Sequence, residues 1–110
     1  METLHFRFER GTCPLLPSAQ LVGVVSSGNL EILIEPVALG RACEIEVNTA
    51  AVGFATIWQS VMDAFFARWS LADARISIND MGATPAVVSL RLDQAAQTAT
   101  TPGGSAKGMP

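Results

Sequence analysis

Residues 21–36 read Leu-Val-Gly-Val-Val-Ser-Ser-Gly-Asn-Leu-Glu-Ile-Leu-Ile-Glu-Pro, and this stretch decides the fold class. Two runs of apolar and β-branched residues flank Gly28 and Asn29, the residue types that tolerate the positive φ of a tight hairpin turn. Pro36 ends the second run because proline cannot donate to a strand ladder. The stretch therefore predicts a hairpin of two antiparallel strands, residues 21–27 and 30–35.

Alternation of polar and apolar residues predicts four more strands around this hairpin, over residues 3–9, 42–49, 75–80 and 87–93. In the last of these, Val88, Leu90 and Leu92 are predicted to face inward. Residues 52–69 instead place apolar side chains at three- and four-residue steps, which predicts an amphipathic helix capped by Thr49 or Asn48.

The predicted fold class is therefore α+β. We expect a mostly antiparallel sheet of about six strands, in the order βββ-β-α-ββ, with one long helix packed on one face. The chain of 110 residues has room for one domain, which we place at residues 1–94. Residues 95–110 are rich in Thr, Ala, Gly and Pro, and we expect them to form a disordered tail.

Composition excludes several classes of function. The formal net charge of −3 gives no electrostatic reason to bind nucleic acid. With 1 His and 2 Cys, a four-ligand zinc site cannot be assembled from these residue types, and we expect no metal and no catalytic residue. The longest apolar runs are much shorter than the roughly 20 residues of a membrane helix, and no export signal is visible. We expect a cytoplasmic protein.

Most of the side chains that could take part in catalysis or binding are better explained by a structural role. His5 falls on the outward side of the first strand, without an acid or nucleophile pattern around it. Cys43 is predicted to face inward, and Cys13 lies in a connection without a nearby cation to activate it. Asp80 is expected to accept backbone N–H groups in the following loop, where Gly82 supplies positive φ.

Ser26 and Ser27 are different, because they stand directly before the predicted turn. A hydroxyl beside a tight turn can enter the active site of another protein, so it suits covalent modification. It does not suit nucleophilic catalysis by this chain, since no base is positioned to activate it. Spacing alone is also compatible with ordinary turn serines.

Residues 78–94 read Ile-Asn-Asp-Met-Gly-Ala-Thr-Pro-Ala-Val-Val-Ser-Leu-Arg-Leu-Asp-Gln. This segment and residues 21–36 resemble the acyl carrier (delta) subunit family of malonate decarboxylase. The opening Met-Glu-Thr-Leu and the Trp58-Gln59 pair are also similar to the family. The resemblance runs over residues 1–94.

The resemblance implies that Ser27 carries 2′-(5″-phosphoribosyl)-3′-dephospho-CoA through a phosphodiester. Ser26 stands where the family often has Gly, so the doublet offers a second hydroxyl. Asn29 stands where Asp is usual, which removes a charge beside the incoming phosphate. The thiol of the group holds acetyl and malonyl thioesters in this family.

The implied partners are an acetyl/malonyl transferase subunit, the decarboxylase subunits and a prosthetic-group transferase. The carrier itself is not a catalyst. Two alternatives remain at this point: the acyl carrier (gamma) subunit of citrate lyase, which shares the cofactor, and a non-covalent scaffold or interaction module. The loop at residues 82–85, Gly-Ala-Thr-Pro, favours malonate decarboxylase over citrate lyase.

The length of the hairpin turn has two possible solutions. A two-residue turn pairs Ser27 with Leu30, Val25 with Ile32 and Gly23 with Ile34, and directs Ser27 toward the core side. A four-residue loop from Ser26 to Asn29 places Ser27 at the tip. We expect the four-residue loop, with an exposed Ser27 and strand pairing that stops at or before Val25, because a transferase must grip the serine from several sides.

Overall fold

A computed structural model describes residues 1–16, 22–27 and 29–100. Among these residues there are seven strands and two helices. The strands are β1 (Glu2–Phe8), β2 (Cys13–Pro14), β3 (Val22–Ser27), β4 (Leu30–Pro36), β5 (Cys43–Thr49), β6 (Leu71–Ala72) and β7 (Ala74–Asp80). The helices are α1 (Ala55–Arg68) and α2 (Pro85–Thr100).

Five of the described strands form one sheet in the order β1-β5-β7-β4-β3. Three of its four pairings are antiparallel, as predicted. The pairing of β5 with β7 is parallel, because α1 carries the chain across the sheet between these two strands. The short strands β2 and β6 form a separate parallel pair.

The helices and the inward side chains of the sheet share one hydrophobic core. Burial alternates along β4, where Leu30, Ile32 and Ile34 are buried while Glu31 is exposed. This alternation places one face of the sheet against the helices and leaves the other open to water. The open face carries charged side chains, among which Arg7 and Arg75 both bond Glu44.

The predicted strand over residues 87–93 is wrong, because this segment belongs to α2. Val88 and Leu92 are buried, but Leu90, which the strand prediction placed inward, is 53% exposed. Spacing of four residues between Val88 and Leu92 fits a helix face. Thr84 and Pro85 form the helix start, since the Thr84 hydroxyl accepts the N–H of Val87 at 3.3 Å and proline suits the first helical position.

The predicted boundary of the ordered chain at residue 94 also needs correction. Helix α2 continues to Thr100, and its last turns bury Ala95, Ala96 and Ala99 against the core. Small side chains let a helix lie close to the sheet, so the Ala-rich stretch is packed and is not a tail. Residues 101–110, the rest of the predicted tail, lie outside the described residues.

The predicted helix over residues 52–69 is confirmed with a later start, at Ala55. The predicted cap is wrong: Phe54 precedes the helix without a side-chain cap bond, and the Thr49 hydroxyl binds elsewhere. Gly53 lies before the helix with a φ of 92°, a conformation that favours glycine.

Candidate functional site

The strand ladder at the hairpin continues up to the turn. Ser26 pairs with Glu31 and Ser27 pairs with Leu30, so the expected four-residue loop with pairing that stops at Val25 is wrong. The two-residue connection fits the twist of the flanking strands better than a longer loop. The exposure and direction of the Ser27 side chain, as well as Gly28, lie outside the described residues.

One detail of the two-residue alternative also differs. Val25 faces Ile32 as that register requires, but Val22 instead of Gly23 faces Ile34, because the register shifts between Val22 and Val25. Such a bulge bends and twists a strand locally and is common at sheet edges. Among the described residues β3 is an edge strand that pairs with β4 alone, so the irregularity affects the pairing of β3 with β4 and no other pairing.

Ser27 lies at one end of a row that crosses the sheet. Its partner Leu30 pairs with Asp80 of β7, and Asp80 pairs with Thr49 of β5. Neighbouring strands are spaced by about 4.8 Å, so the backbones of Ser27 and Asp80 are about 10 Å apart. The hairpin turn, the loop after β7 and the loop after β5 therefore meet at the same end of the sheet.

Asp80 organises this end, as predicted. Its carboxyl group accepts the Thr49 hydroxyl at 2.8 Å and the backbone N–H groups of Gly82 and Ala83 at 3.2 and 2.8 Å. Gly82 has a φ of 117°, which confirms its expected role in the turn. Asp80 is 2% exposed, and these three donors replace the water that burial removes.

The hairpin turn is tied to the loop after β7. The backbone N–H of Met81 donates to the carbonyl oxygen of Asn29 at 2.9 Å. Asn29 is exposed, and Met81 is 60% exposed. The turn beside Ser27 thus has a fixed backbone partner, while the side chains described next to it face water.

An apolar pocket of about 210 Å³ opens beside this loop. One wall comes from the start of α1, with Phe54, Ile57 and Trp58, and the other from the residues before α2, with Gly82 and Ala83. Asp80 lies in the wall between them. The pocket was not predicted from the sequence, where its signal was the apolar pair Phe54 and Ile57, which lie outside the buried stripe of α1.

The remaining candidates occupy structural positions. His5 is exposed and its Nε2 lies 3.2 Å from Glu46 on the open face of the sheet. Cys43 is buried, and this burial raises the pKa of its thiol to about 12. Cys13 is half-buried in β2. Neither thiol lies in the row that contains Ser27.

Within residues 1–16, 22–27 and 29–100, no group of three or more His, Cys, Asp or Glu side chains is arranged to hold a metal ion. Across that same part of the chain, neither helix has the length and apolar character needed to cross a membrane.

Comparison with solved structures finds a similar fold in a known complex. The chain matches, with a TM-score of 0.71 and 40% identity, a chain in the crystal structure of a Pseudomonas malonate decarboxylase hetero-tetramer in complex with malonate. The match covers 88% of this chain and 97% of that chain.

Curated relatives are more similar still. A malonate decarboxylase acyl carrier protein of Xanthomonas campestris pv. campestris (strain B100) is 65% identical over 97 residues, which cover 86% of this chain and 91% of the relative. One from Stenotrophomonas maltophilia (strain K279a) is 60% identical, covering 89% and 93%, and one from Burkholderia cepacia is 53% identical, covering 87% and 88%.

The family model described as "Malonate decarboxylase delta subunit (MdcD)", with the short name ACP, matches residues 18–99. This range contains the serine hairpin, α1 and the Asp80 loop. It includes α2 to its penultimate residue, which agrees with a folded segment beyond residue 94. The chain belongs to the malonate decarboxylase delta subunit (acyl carrier protein) family.

Proposed function

We propose that this chain is the acyl carrier subunit of a malonate decarboxylase complex and that Ser27 carries its prosthetic group. The observation that carries the proposal is the position of Ser27, the last residue of edge strand β3 and directly before the turn, within a chain 65% identical to a known carrier. The group is 2′-(5″-phosphoribosyl)-3′-dephospho-CoA, joined by a phosphodiester to the serine oxygen.

The surroundings of Ser27 suit such an attachment. Among the described residues, β3 has a strand partner on one side only, so a modifying enzyme has access to the other side. Asn29 and Met81, which flank the turn, are exposed. Neither Asn29 nor Met81 carries a negative charge. These two side chains therefore do not repel a phosphate-bearing donor that approaches the turn.

The chain supplies a platform, and the attached group supplies the reactive atom. When bound, the group provides a thiol on a long arm that holds acetyl or malonyl as a thioester. The residues of this chain hold the base of the arm in place: the ladder from Ser27 to Leu30 and Asp80 fixes the hairpin, and the bond from Met81 to Asn29 fixes the turn.

We propose a carrier role without catalysis by this chain. Asp80 is the buried ionisable residue in the row of Ser27, and its carboxyl oxygens are engaged by Thr49, Gly82 and Ala83. A carboxylate held by structural donors is poorly placed to accept a proton from a substrate. Its position supports the proposal that partner subunits perform the chemistry.

The proposed partners are an acetyl/malonyl transferase subunit, the decarboxylase subunits and the enzyme that attaches the prosthetic group. The similarity to a chain of a malonate decarboxylase hetero-tetramer supports assembly with other subunits. The matched family and relatives are named for malonate decarboxylase, and so favour this system over citrate lyase. They equally favour a carrier over a scaffold without a prosthetic group.

The test is co-expression of the chain with the prosthetic-group transferase, followed by intact mass measurement. We expect the native chain and the matched control Ser26→Ala to gain the mass of the group, and Ser27→Ala to remain unmodified. Circular dichroism should show that all three proteins are folded, which separates loss of the acceptor hydroxyl from loss of the fold. Loading of Ser27→Ala, with loss of loading in Ser26→Ala, would reject the assignment.

A further inference from the structure

The apolar pocket lies within reach of a group attached to Ser27. Asp80 is both the second residue along the strand row from Ser27 and part of the pocket wall. The backbone of this wall residue is therefore about 10 Å from the Ser27 backbone, at the same end of the sheet. The proposed arm contains a nucleotide and a pantetheine chain, and is much longer than that distance.

The pocket has an exposed apolar rim. Phe54 and Ile57 line the pocket and are 47% and 44% exposed, and the exposed residues Val52 and Met81 are next in sequence to the lining residues Ala51 and Asp80. Apolar side chains gathered around a concave site are typical of ligand-binding or interaction surfaces. An apolar ligand would cover these side chains. The arm proposed at Ser27 is close enough to provide that ligand.

The volume selects which part of the arm fits. Pockets for drug-sized ligands have volumes of roughly 300–1,000 Å³. The volume of about 210 Å³ found here is smaller, so it is too small for the nucleotide portion and suits the few atoms at the acylated end. The thioethyl chain and an acetyl group are apolar, in keeping with walls formed by Phe54, Ile57 and Trp58.

The charge of the pocket selects between the two acyl groups. A malonyl thioester ends in a free carboxylate, whereas an acetyl thioester ends in a methyl group. Burial of a carboxylate without a cation is costly, and the ionisable side chain in this wall is Asp80, which is itself acidic. The same walls that accept the acetyl end therefore exclude the malonyl end.

We infer that the pocket between α1 and the loop before α2 holds the acetylated end of the arm attached to Ser27 and releases the arm when it carries malonyl. The inference rests on the proposed function. Its consequence is a carrier that shelters the acetyl thioester from water and stray nucleophiles between turnovers. The malonyl thioester stays outside the carrier, where the decarboxylase subunits can reach it.

The test measures the rate at which hydroxylamine cleaves the thioester on the loaded carrier, without its partner subunits. Intact mass measurement monitors the reaction over time. Two variants alter the pocket: Ala83→Leu fills it, and Ile57→Glu adds a second negative charge at its rim. Leu90→Glu is the matched control, because Leu90 is a similarly exposed apolar residue on a helix but does not line the pocket.

We expect the acetyl forms of both pocket variants to react about tenfold faster than those of the native chain and of Leu90→Glu. Such a ratio corresponds to an arm that occupies the pocket for roughly nine-tenths of the time. We expect the malonyl forms of all four proteins to react at rates within about twofold of one another, since that end is excluded throughout.

Two results overturn the inference while the proposed function stands: equal acetyl rates in correctly loaded native and variant proteins, or equal protection of malonyl and acetyl. If the variants react as the native chain does but fail to support decarboxylation with the partner subunits, the pocket is a subunit-docking site instead. Failure of the native chain to gain the prosthetic group is a different outcome, and it contradicts the proposed function itself.

Discussion

The carbonyl oxygen of Asn29 accepts the backbone N–H of Met81 at 2.9 Å, so the turn after Ser27 is bonded to the loop that borders the apolar pocket. The bond joins two segments more than fifty residues apart in sequence. It links the serine hairpin and the pocket at one end of the sheet, where the buried carboxyl group of Asp80 also accepts the N–H groups of Gly82 and Ala83.

Asp80 is expected to stabilise the fold rather than to act in loading. Asp80→Ala leaves the Thr49 hydroxyl and the N–H groups of Gly82 and Ala83 without their acceptor, which should lower the free energy of unfolding by about 3 kcal/mol. Thr49→Val removes one of these bonds and should cost about 1 kcal/mol. Denaturant unfolding measures both. Loss of prosthetic-group loading in Asp80→Asn with an unchanged unfolding curve would indicate a docking role.

The helical face of α2 can be tested with two leucines. Leu92 is fully buried, so Leu92→Ala should destabilise the chain by about 2–5 kcal/mol, whereas Leu90, which is half-exposed, should change stability by under about 0.5 kcal/mol when mutated to Ala. A β-strand over residues 87–93 would bury both leucines. Comparable losses in the two variants would therefore contradict the helix.

Most of the fold could be predicted from local patterns, and the part that was missed has an identifiable cause. The alternation of Val88, Leu90 and Leu92 imitates a strand, because residues four apart share a face in both a helix and a strand. The helical signals were Thr84-Pro85 at the start and the buried alanines after residue 94. Alanine carries little apolar surface, so its place in a core depends on close packing that sequence periodicity hardly reveals.

In the candidate site, too, some features could be predicted from the sequence and others could not. Asp80 and Gly82 were predictable, because an Asp-x-Gly turn is determined by nearby residues. The expected four-residue loop at Ser27 was wrong, because the backbone pairing of β3 with β4 continues to Ser27 and Leu30, and local sequence does not show where a strand ladder stops. The pocket brings Ile57 and Ala83 together through the packing of two helices, which short-range spacing does not encode.

Cys43 should be unreactive in the folded chain. Burial raises the pKa of its thiol to about 12, so a thiol reagent at pH 8 should label Cys13 first and reach Cys43 only after unfolding. Between pH 9 and about 12 the unfolded chain loses the Cys43 proton while the folded chain keeps it. Stability should therefore fall as the pH rises through that range, and less so in Cys43→Ala. Rapid labelling of Cys43 in native buffer would contradict its burial.

Asp73 should make the fold sensitive to acid. The backbone N–H groups of Leu39 and Arg41 donate to its carboxylate and lower its pKa below the ordinary value of 3.8. The folded state thus favours the ionised form, and its stabilising effect is present above about pH 4 and lost as the pH falls through the lowered pKa. Asp73→Asn keeps the left-handed backbone conformation but cannot ionise. Its thermal stability should vary less between pH 5 and pH 2 than that of the native chain.

The central claim is that Ser27 carries the prosthetic group, and the most direct measurement is site-localising mass spectrometry of the unmutated chain. The chain is purified from cells that also produce the prosthetic-group transferase, digested, and fragmented by electron transfer, which leaves phosphodiesters attached. We predict that the peptide spanning residues 11–31 bears the phosphoribosyl-dephospho-CoA mass and that the fragment ions on either side of Ser27 confine that mass to this residue. An unmodified peptide, or a mass confined to Ser26, would contradict the account.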